Sequence, residues 1–302
     1  MEIIPTPSPG PQASLTLVVP AYNEAAALSE NMPALLDFCE RHHYRLIIVN
    51  DGSRDRTQDV LQQYAASPLL TIVKNKLNKG YGGAIKAGIK QVATPHLITL
   101  DADGQHNLED VRRLHEEIVA TDADMIVGSR KGLKSASFYR KTGKWLIRAI
   151  ANILMPVNVY DINSGMKIYD TALAHRYIQL CPDTMAFSDI ITLVFISQRH
   201  LVLESPISIN RRATGKSTIN TMTAVDTVKE ILSIVLLFNP MKIFFPISLA
   251  SITAGLIWGI PLVLQGRGVS VGFLLAFVIG LFFFLLGLVT EQLSMLRKSN
   301  LD

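Results

Sequence analysis

"HLITLDADGQH", residues 96–106, is a short apolar run that ends in two aspartates two residues apart, followed by a glycine and a polar tail. An extended chain alternates its side chains between faces, so a strand carried through residue 103 would present Asp101 and Asp103 on one side. Two carboxylates so placed repel each other unless a cation lies between them. The same grammar recurs along the chain. "LTLVVP" (15–20) leads into Tyr22, Asn23 and Glu24, "RLIIVN" (45–50) into Asp51, Gly52 and Ser53, and "DMIVGS" (124–129) into Arg130. "LLTIVK" (69–74) is a fifth run, and segments such as "LEDVRRLHEEIVA" (108–120) between the runs have helical spacing. Strands separated by helices predict right-handed crossovers and a mostly parallel sheet, an α/β fold. In such sheets ligands bind at the carboxyl ends of the strands, where these polar clusters collect.

Composition divides the chain. Of its 302 residues 49% are hydrophobic and 18% charged, but the charges concentrate in residues 14–220. Ile243 to Leu264 and Val269 to Thr290 each run 22 residues without a charged side chain. At ~1.5 Å per residue each reaches about 33 Å, enough for a hydrocarbon core of ~30 Å. Only "QGRG" (265–268) separates them, which predicts a tight hairpin with both outer ends on one side. Lys242, Arg297 and Lys298 flank those ends against Arg267 alone in the turn, so the positive-inside rule makes the outer ends cytoplasmic.

Before the hairpin, "TVKEILSIVLLF" (227–238) reads as an interfacial amphipathic helix, within a boundary segment 221–240. "FYRKTGKWLIRAIANILM" (138–155) reads as a basic amphipathic helix lying against a membrane. Residues 1–13 are proline-rich, without the basic start or apolar run of a signal peptide, and are expected to form a flexible leader. The expected organisation is thus leader, cytosolic domain 14–220, interfacial helix and membrane hairpin 241–302. The two cysteines, Cys39 and Cys181, have no metal-type spacing and suit a reducing compartment. A net charge of +4 suits an anionic membrane surface or phosphorylated ligands; no motif points to nucleic acid.

Asp-Ala-Asp at a strand end suits a hard divalent cation, Mg²⁺ or Mn²⁺, which takes carboxylate oxygens and leaves positions for phosphate oxygens. Gln105 or His106 could add a ligand or a contact to a diphosphate. In "NDGSRDRT" (50–57) Asp51 stands at another strand end, where a carboxylate accepts hydrogen bonds from a nucleobase or ribose. "NKGYGGAIKAG" (78–88) invites a dinucleotide reading, with glycines opening a helix and an acid about 20 residues on. That reading fails, because Ile85 stands where the third glycine belongs and the preceding run ends too early.

"VVPAYNEA", "VNDGSRDRT", "NKGYGGAIKAG", "DADGQH", "VGSR", "DINSGMKIY" and "RATGKS" follow one another in the order and spacing of the family-2 glycosyltransferases. The chain most resembles the polyprenyl-phosphate branch, which includes dolichol-phosphate mannose synthases and bactoprenol glucosyltransferases, and which also carries a C-terminal membrane hairpin. The resemblance implies a GT-A fold and inverting transfer of a hexose from a nucleotide-sugar to dolichyl or undecaprenyl phosphate at the cytoplasmic membrane face. It implies that Pro20, Tyr22, Glu24, Asp51 and Lys79 surround the nucleoside, and that Asp101, Asp103 and Gln105 hold the metal and diphosphate. Arg130, Arg140 and Arg212 match basic positions around the phosphates. Ser164, Gly165, Lys144 and Lys216 fall in the acceptor region, although relatives carry a small residue where this chain has Lys144. A homo-oligomer, with a tetramer as the candidate state, is also implied.

A phosphate monoester has its second pKa near ~6 and is mostly a dianion at pH 7. Such a nucleophile needs positioning and charge compensation rather than a general base. Asp189, near the place where relatives acting on sugar hydroxyls keep a base, is therefore expected to be structural or substrate-positioning. Two rivals remain at this stage. One is a family-2 enzyme with a hydroxyl acceptor, on a glycolipid or glycan; the other is a catalytically dead nucleotide-sugar-binding scaffold, against which intact Asp101 and Asp103 argue.

Overall fold

A computed structural model describes residues 2–3, 13–130, 159–209 and 240–299 of the protein. The expected helices at 138–155 and 227–238 lie outside those residues, as do Arg140, Lys144, Arg212 and Lys216. The described residues fall into two compact units, one holding 2–3, 13–130 and 159–209 and the other 240–299.

The first unit is built on one eight-stranded sheet. Its elements are β1 (Glu2–Ile3), β2 (Leu15–Ala21), α1 (Ala25–His42), β3 (Arg45–Asp51), α2 (Thr57–Gln62), β4 (Leu70–Asn75), α3 (Tyr81–Ile89), β5 (His96–Thr99), α4 (Leu108–Thr121), β6 (Met125–Ser129), β7 (Lys167–Asp170), α5 (Thr171–Tyr177), α6 (Phe187–Ser197) and β8 (Val202–Pro206). Across the sheet the order is β1, β4, β3, β2, β5, β7, β6, β8. Strands β4, β3, β2 and β5 run parallel, as do β6 and β8, while β7 is antiparallel to both its neighbours, β5 and β6. All five apolar runs are strands, as their unbroken hydrophobicity requires of a sheet covered on both faces.

Leu17, Val19, Leu46, Ile48 and Ile98 point to one face and meet Leu28, Met32 and Phe38 of α1 and Val111, Leu114 and Ile118 of α4. On the other face Gly88 of α3 lies so close to Val18 and Val49 that a Cβ would come within 2.5 Å and 2.9 Å of their methyls. Two features depart from the sequence reading. The leader contributes a strand, since Glu2 and Ile3 pair with Lys74 and Val73 and cover the otherwise open edge of β4. Strand β5 ends at Thr99, so Asp101 and Asp103 stand in the loop beyond it and the alternation argument does not apply to them.

The second unit is a helical hairpin of α7 (Met241–Leu264) and α8 (Val271–Ser299). Both helices are long and apolar enough to cross a membrane. Small residues let them meet closely: Gly255 faces Ala276, Gly259 faces Phe273, Gly280 faces Ile252 and Gly287 faces Phe244. The Ser251 hydroxyl adds an interhelical hydrogen bond to the Ala276 carbonyl at 2.9 Å. Large apolar side chains, Ile257, Trp258, Leu264, Phe282 and Leu293 among them, face outward. That is the arrangement a lipid surround rewards and water penalises.

At the amino end of the sheet, His115 of α4 is buried; its Nδ1 lies 2.9 Å from the Tyr44 hydroxyl and its ring stands edge-on to His96 at 5.7 Å. Burial, with a smaller push from the neighbouring His96, brings the His115 imidazole down to about 4. An unfolded chain titrates near ~6.5, so the neutral ring stabilises the fold above that pH. This contribution is lost as pH falls from there toward about 4. Thermal unfolding of wild type and His115→Gln between pH 7 and pH 4 checks it. Wild-type stability should fall more steeply than the variant's, by at most ~1.4 kcal/mol per pH unit, and parallel curves would remove His115 as the cause.

Candidate active site

Strand β2 has β3 on one side and β5 on the other, with their carboxyl ends at the same edge. The loops that leave this edge are knitted together by side chain to backbone hydrogen bonds. The Asn23 N–H donates to the Ser53 hydroxyl at 3.0 Å, and the Asn23 side chain accepts from the Arg54 N–H at 2.8 Å. The Glu24 N–H donates to the Thr57 hydroxyl, and the Asp55 carboxylate accepts from the Ala25 N–H at the start of α1. "YNEA" and "NDGSRDRT" therefore form one interlocked rim. Tyr22 is exposed on this rim, and Pro20 and Glu24 are half-buried beneath it.

Asp51 is buried at the end of β3. Its Oδ1 accepts from the Asn75 amide at 2.7 Å and the Lys79 N–H at 3.0 Å, and its Oδ2 from the Lys79 and Gly80 N–H groups at 3.0 Å. A carboxylate has about four acceptor positions, and here the chain itself occupies them. The first duty of Asp51 is thus to pin the loop that carries Lys79, whose side chain remains exposed. The glycines of "NKGYGGAIKAG" also have a structural reason. A Cβ at Gly82 would strike the Pro182 and Thr184 carbonyls and one at Gly80 the Asp183 carbonyl, while Gly83 donates its N–H to Asp183 at 3.1 Å. The glycines admit the segment before α6, which Lys86 secures through the Cys181 carbonyl and the Asp183 carboxylate.

Docking α3 in this way aims Tyr81 at the loop after β5, where its hydroxyl donates to Asp101 Oδ1 at 3.1 Å. His106 Nε2 lies 3.3 Å from Asp101 Oδ2. Burial pushes the Asp101 carboxyl up, but the hydrogen bonds from His106 and Tyr81 and the charges of His106 and Arg130 bring it below the ordinary carboxylate value. Its side chain is 39% exposed, so this ionised group is open to a ligand. Gly165 lies behind it, and a Cβ there would come within 2.5 Å of Oδ2. Asp103 caps its own turn, accepting from the Gln105 N–H at 3.1 Å. Gly104, at φ +73, lets that turn press against Asn31 of α1.

Arg130, directly after β6, engages Asp161 through Nε at 2.6 Å and Nη2 at 2.8 Å, with Nη2 also donating to Asn163. Asp161 is held in turn by Glu204 of β8, whose carboxylate accepts from the Tyr160 and Asp161 N–H groups. Arg130 thus joins the site with most of its charge matched inside the chain. Ser164 is fully buried and its hydroxyl turns toward the Met166 carbonyl at 3.4 Å, so it does not line an open acceptor surface as expected. Asp189 is buried in the first turn of α6. Beneath all of these, Lys167 is buried completely; burial depresses its ammonium, and the charges of Asp189 and Asp161 oppose that.

The structure accordingly brings Asp101, Asp103, Gln105, Arg130 and Gly165 to the same edge as Pro20, Tyr22, Glu24, Asp51 and Lys79. Tyr81, Asp161, Lys167 and Glu204 escaped the sequence reading, since each acts on a partner far away in the chain.

A carboxylate turn at the carboxyl edge of a mostly parallel sheet, with a rim of interlocked loops, defines a GT-A type transferase fold. Glucosyl-3-phosphoglycerate synthase from Mycobacterium tuberculosis, solved with UDP, shares that fold at a TM-score of 0.57 and 14% identity, over 74% of this chain and 80% of that one. The protein belongs to glycosyl transferase family 2, whose model matches residues 16–178; residues 239–296 match the GtrB C-terminal hairpin. An undecaprenyl-phosphate 4-deoxy-4-formamido-L-arabinose transferase of Photorhabdus laumondii is 27% identical over 294 residues, 93% of this chain and 88% of its own. The protein of the same name from Sodalis glossinidius is 29% identical over 223 residues, 72% and 67% of the two chains.

Replacing Gly165 by alanine tests the contact behind Asp101. The carboxylate can swing away, so stability should fall by no more than about 1–3 kcal/mol. Glycosyl transfer should fall roughly tenfold or more, because displacement of a site group by a fraction of an ångström is expensive for rate. Unchanged turnover by the folded variant would show that Asp101 needs no such support.

Proposed function

We propose that the protein transfers a hexose, with inversion, from a nucleotide-sugar to a polyprenyl phosphate at the cytoplasmic membrane face, giving a lipid-phosphate-linked sugar. The observation that carries this reading is a family-2 domain joined in one chain to a GtrB-type hairpin. Undecaprenyl-phosphate sugar transferases match that whole arrangement. The burial of Asp189 supports it, because a carboxylate beneath the surface and facing Lys167 is poorly placed to deprotonate a hydroxyl acceptor.

The donor set fits a divalent cation. Mg²⁺ takes one or two carboxylates and fills its shell with phosphate oxygens and water. Asp101 is ionised and accessible, and Asp103 and Gln105 follow in the same loop. Among the described residues no group of three or more His, Cys, Asp or Glu gathers to hold a metal. Mg²⁺ or Mn²⁺ bound by Asp101, Asp103 and Gln105 would supply charge neutralisation to the departing nucleoside diphosphate.

The protein's own part is to hold two anions side by side. Like charges ~4 Å apart cost ~4 kcal/mol at an effective dielectric of ~20. Arg130 is already matched to Asp161, so other cations must offset the rest. Ile209 bridges His106 at the point where the described chain ends. Arg212 follows three residues later in the sequence. Its planar fork suits phosphate oxygens, and Arg140, Lys144 and Lys216 are the remaining expected cations.

Purified protein given polyprenyl phosphate, a panel of nucleotide-sugars and Mg²⁺ or Mn²⁺ tests the reading. Transfer should require the metal and be abolished by chelation. Arg212→Ala should weaken transfer to the lipid phosphate roughly tenfold or more while sparing hydrolysis of the donor by water. Transfer to hydroxyl acceptors alone, or an Arg212→Ala variant of normal turnover, would overturn it.

Topology is tested separately. With the outer ends of the hairpin cytoplasmic, Gly266→Cys should react with an impermeant thiol reagent from outside intact cells. Labelling only after the membrane is opened would reverse the orientation.

A further inference from the structure

Lys167 stands in the middle of the sheet, in register with Thr99 of β5 on one side and Val127 of β6 on the other. None of it is exposed. Its Nζ donates to the Ile162 carbonyl at 2.7 Å and to the Ser188 carbonyl. Those two carbonyls belong to the two segments that flank Asp101. Ile162 lies in the turn that ends at Gly165, against the Asp101 carboxylate. Ser188 lies in the first turn of α6, and its side chain interacts with Tyr81, whose hydroxyl donates to Asp101.

We propose that Lys167 is a positioning residue for glycosyl transfer: its ammonium ties the 162–165 turn to the start of α6 and so fixes the pose of Asp101. The inference rests on the transferase reading above. It assigns Asp189 the role of counter-charge to this ammonium.

A leucine or methionine would fill the same volume without the expense of burying a charge. The Thr192 hydroxyl of α6 reaches the Ile162 carbonyl at 3.4 Å; a shorter, charge-assisted bridge between the same two backbone segments is what the ammonium adds. The groups that face Lys167 are Asp189 from α6, Asp161 and Arg130 from the loop side, and the Cys181 thiol from the segment before α6. Burial lowers the ammonium's pKa most, and Arg130 lowers it further; Asp189, Asp161 and Cys181 act the other way. The bridge is therefore strongest at pH values where Lys167 keeps its proton, and weakens as pH rises through the depressed value.

Kinetics of full-length Lys167→Met and Lys167→Arg, with thermal unfolding of each, test the proposal. Lys167→Met should lower kcat by roughly 100-fold, the size of effect a misplaced site group produces. Donor KM should stay within about threefold, since an interaction felt at the transition state moves kcat. Lys167→Arg should recover part of the loss. A folded Lys167→Met with normal kcat and only a lower unfolding midpoint overturns the proposal. If that variant does not fold, the pH profiles of wild type and Asp189→Asn decide. Loss of the counter-charge should move the alkaline limb of kcat to lower pH, and coincident limbs overturn the proposal. All rates are read on donor hydrolysis as well as on transfer to polyprenyl phosphate. Failure of the lipid-phosphate reading would then appear as absent transfer, with the variant ratios in hydrolysis still deciding for or against Lys167.

Discussion

The approach of Gly165 to the Asp101 carboxylate depends on one antiparallel strand, β7, running between β5 and β6. A parallel strand in that position would receive its incoming loop at the far edge of the sheet. Because β7 runs the other way, the 159–165 turn arrives at the edge where β5 and β6 release Asp101 and Arg130. The Thr99 hydroxyl fastens that arrival by donating to the Gly165 carbonyl at 2.8 Å. Sheet polarity thereby delivers three chain segments, distant in sequence, to one carboxylate.

The electrostatics follow from that convergence. Arg130, Asp161, Lys167 and Asp189 lie around and beneath the same edge, most of them buried, and in such surroundings an unmatched charge is severely penalised. Each is matched: Arg130 with Asp161, and Lys167 with two carbonyls and the Asp189 charge. Asp101 is the exception, ionised and left partly open. The protein keeps its internal charges occupied with one another and presents a carboxylate outward, where a cation and a diphosphate could complete the balance.

Much of this was legible from residue order because it is local. The five apolar runs report burial on both faces, and the polar clusters after them report the edge at which the strands end. The charge-free stretches of the tail report a hairpin by length alone. What was not legible depends on partners far along the chain. The glycines near Tyr81 fail the dinucleotide spacing on sequence alone, but their positive reason shows only when the segment before α6, about a hundred positions away, is seen resting on them. That the Asn75 amide and the Lys79 and Gly80 N–H groups hold the Asp51 carboxylate is likewise invisible in residue order. The two aspartates of "DADGQH" stand in one loop, a turn braced by Asn31 and Gly165, and strand alternation does not arrange them. Strands β7 and β8 are short and carry the buried Lys167 and the half-buried Glu204, polar residues whose places only tertiary partners explain.

The Arg130–Asp161 pair has a further consequence for how this architecture can diversify. It joins the residue where the chain leaves β6 to the turn by which it returns toward β7, so the stretch between them begins and ends at a fastened neck. Closing a flexible loop costs only about 0.6 kcal/mol more for each doubling of its length, and a fastened neck shields the sheet from whatever lies within. Changes of length or sequence between Arg130 and Asp161 should therefore leave the carboxylate edge folded, whereas any that removes Arg140 or Lys144 is expected to alter transfer. A lineage could thus vary what lies between the two ends while the fold of the edge stays in place.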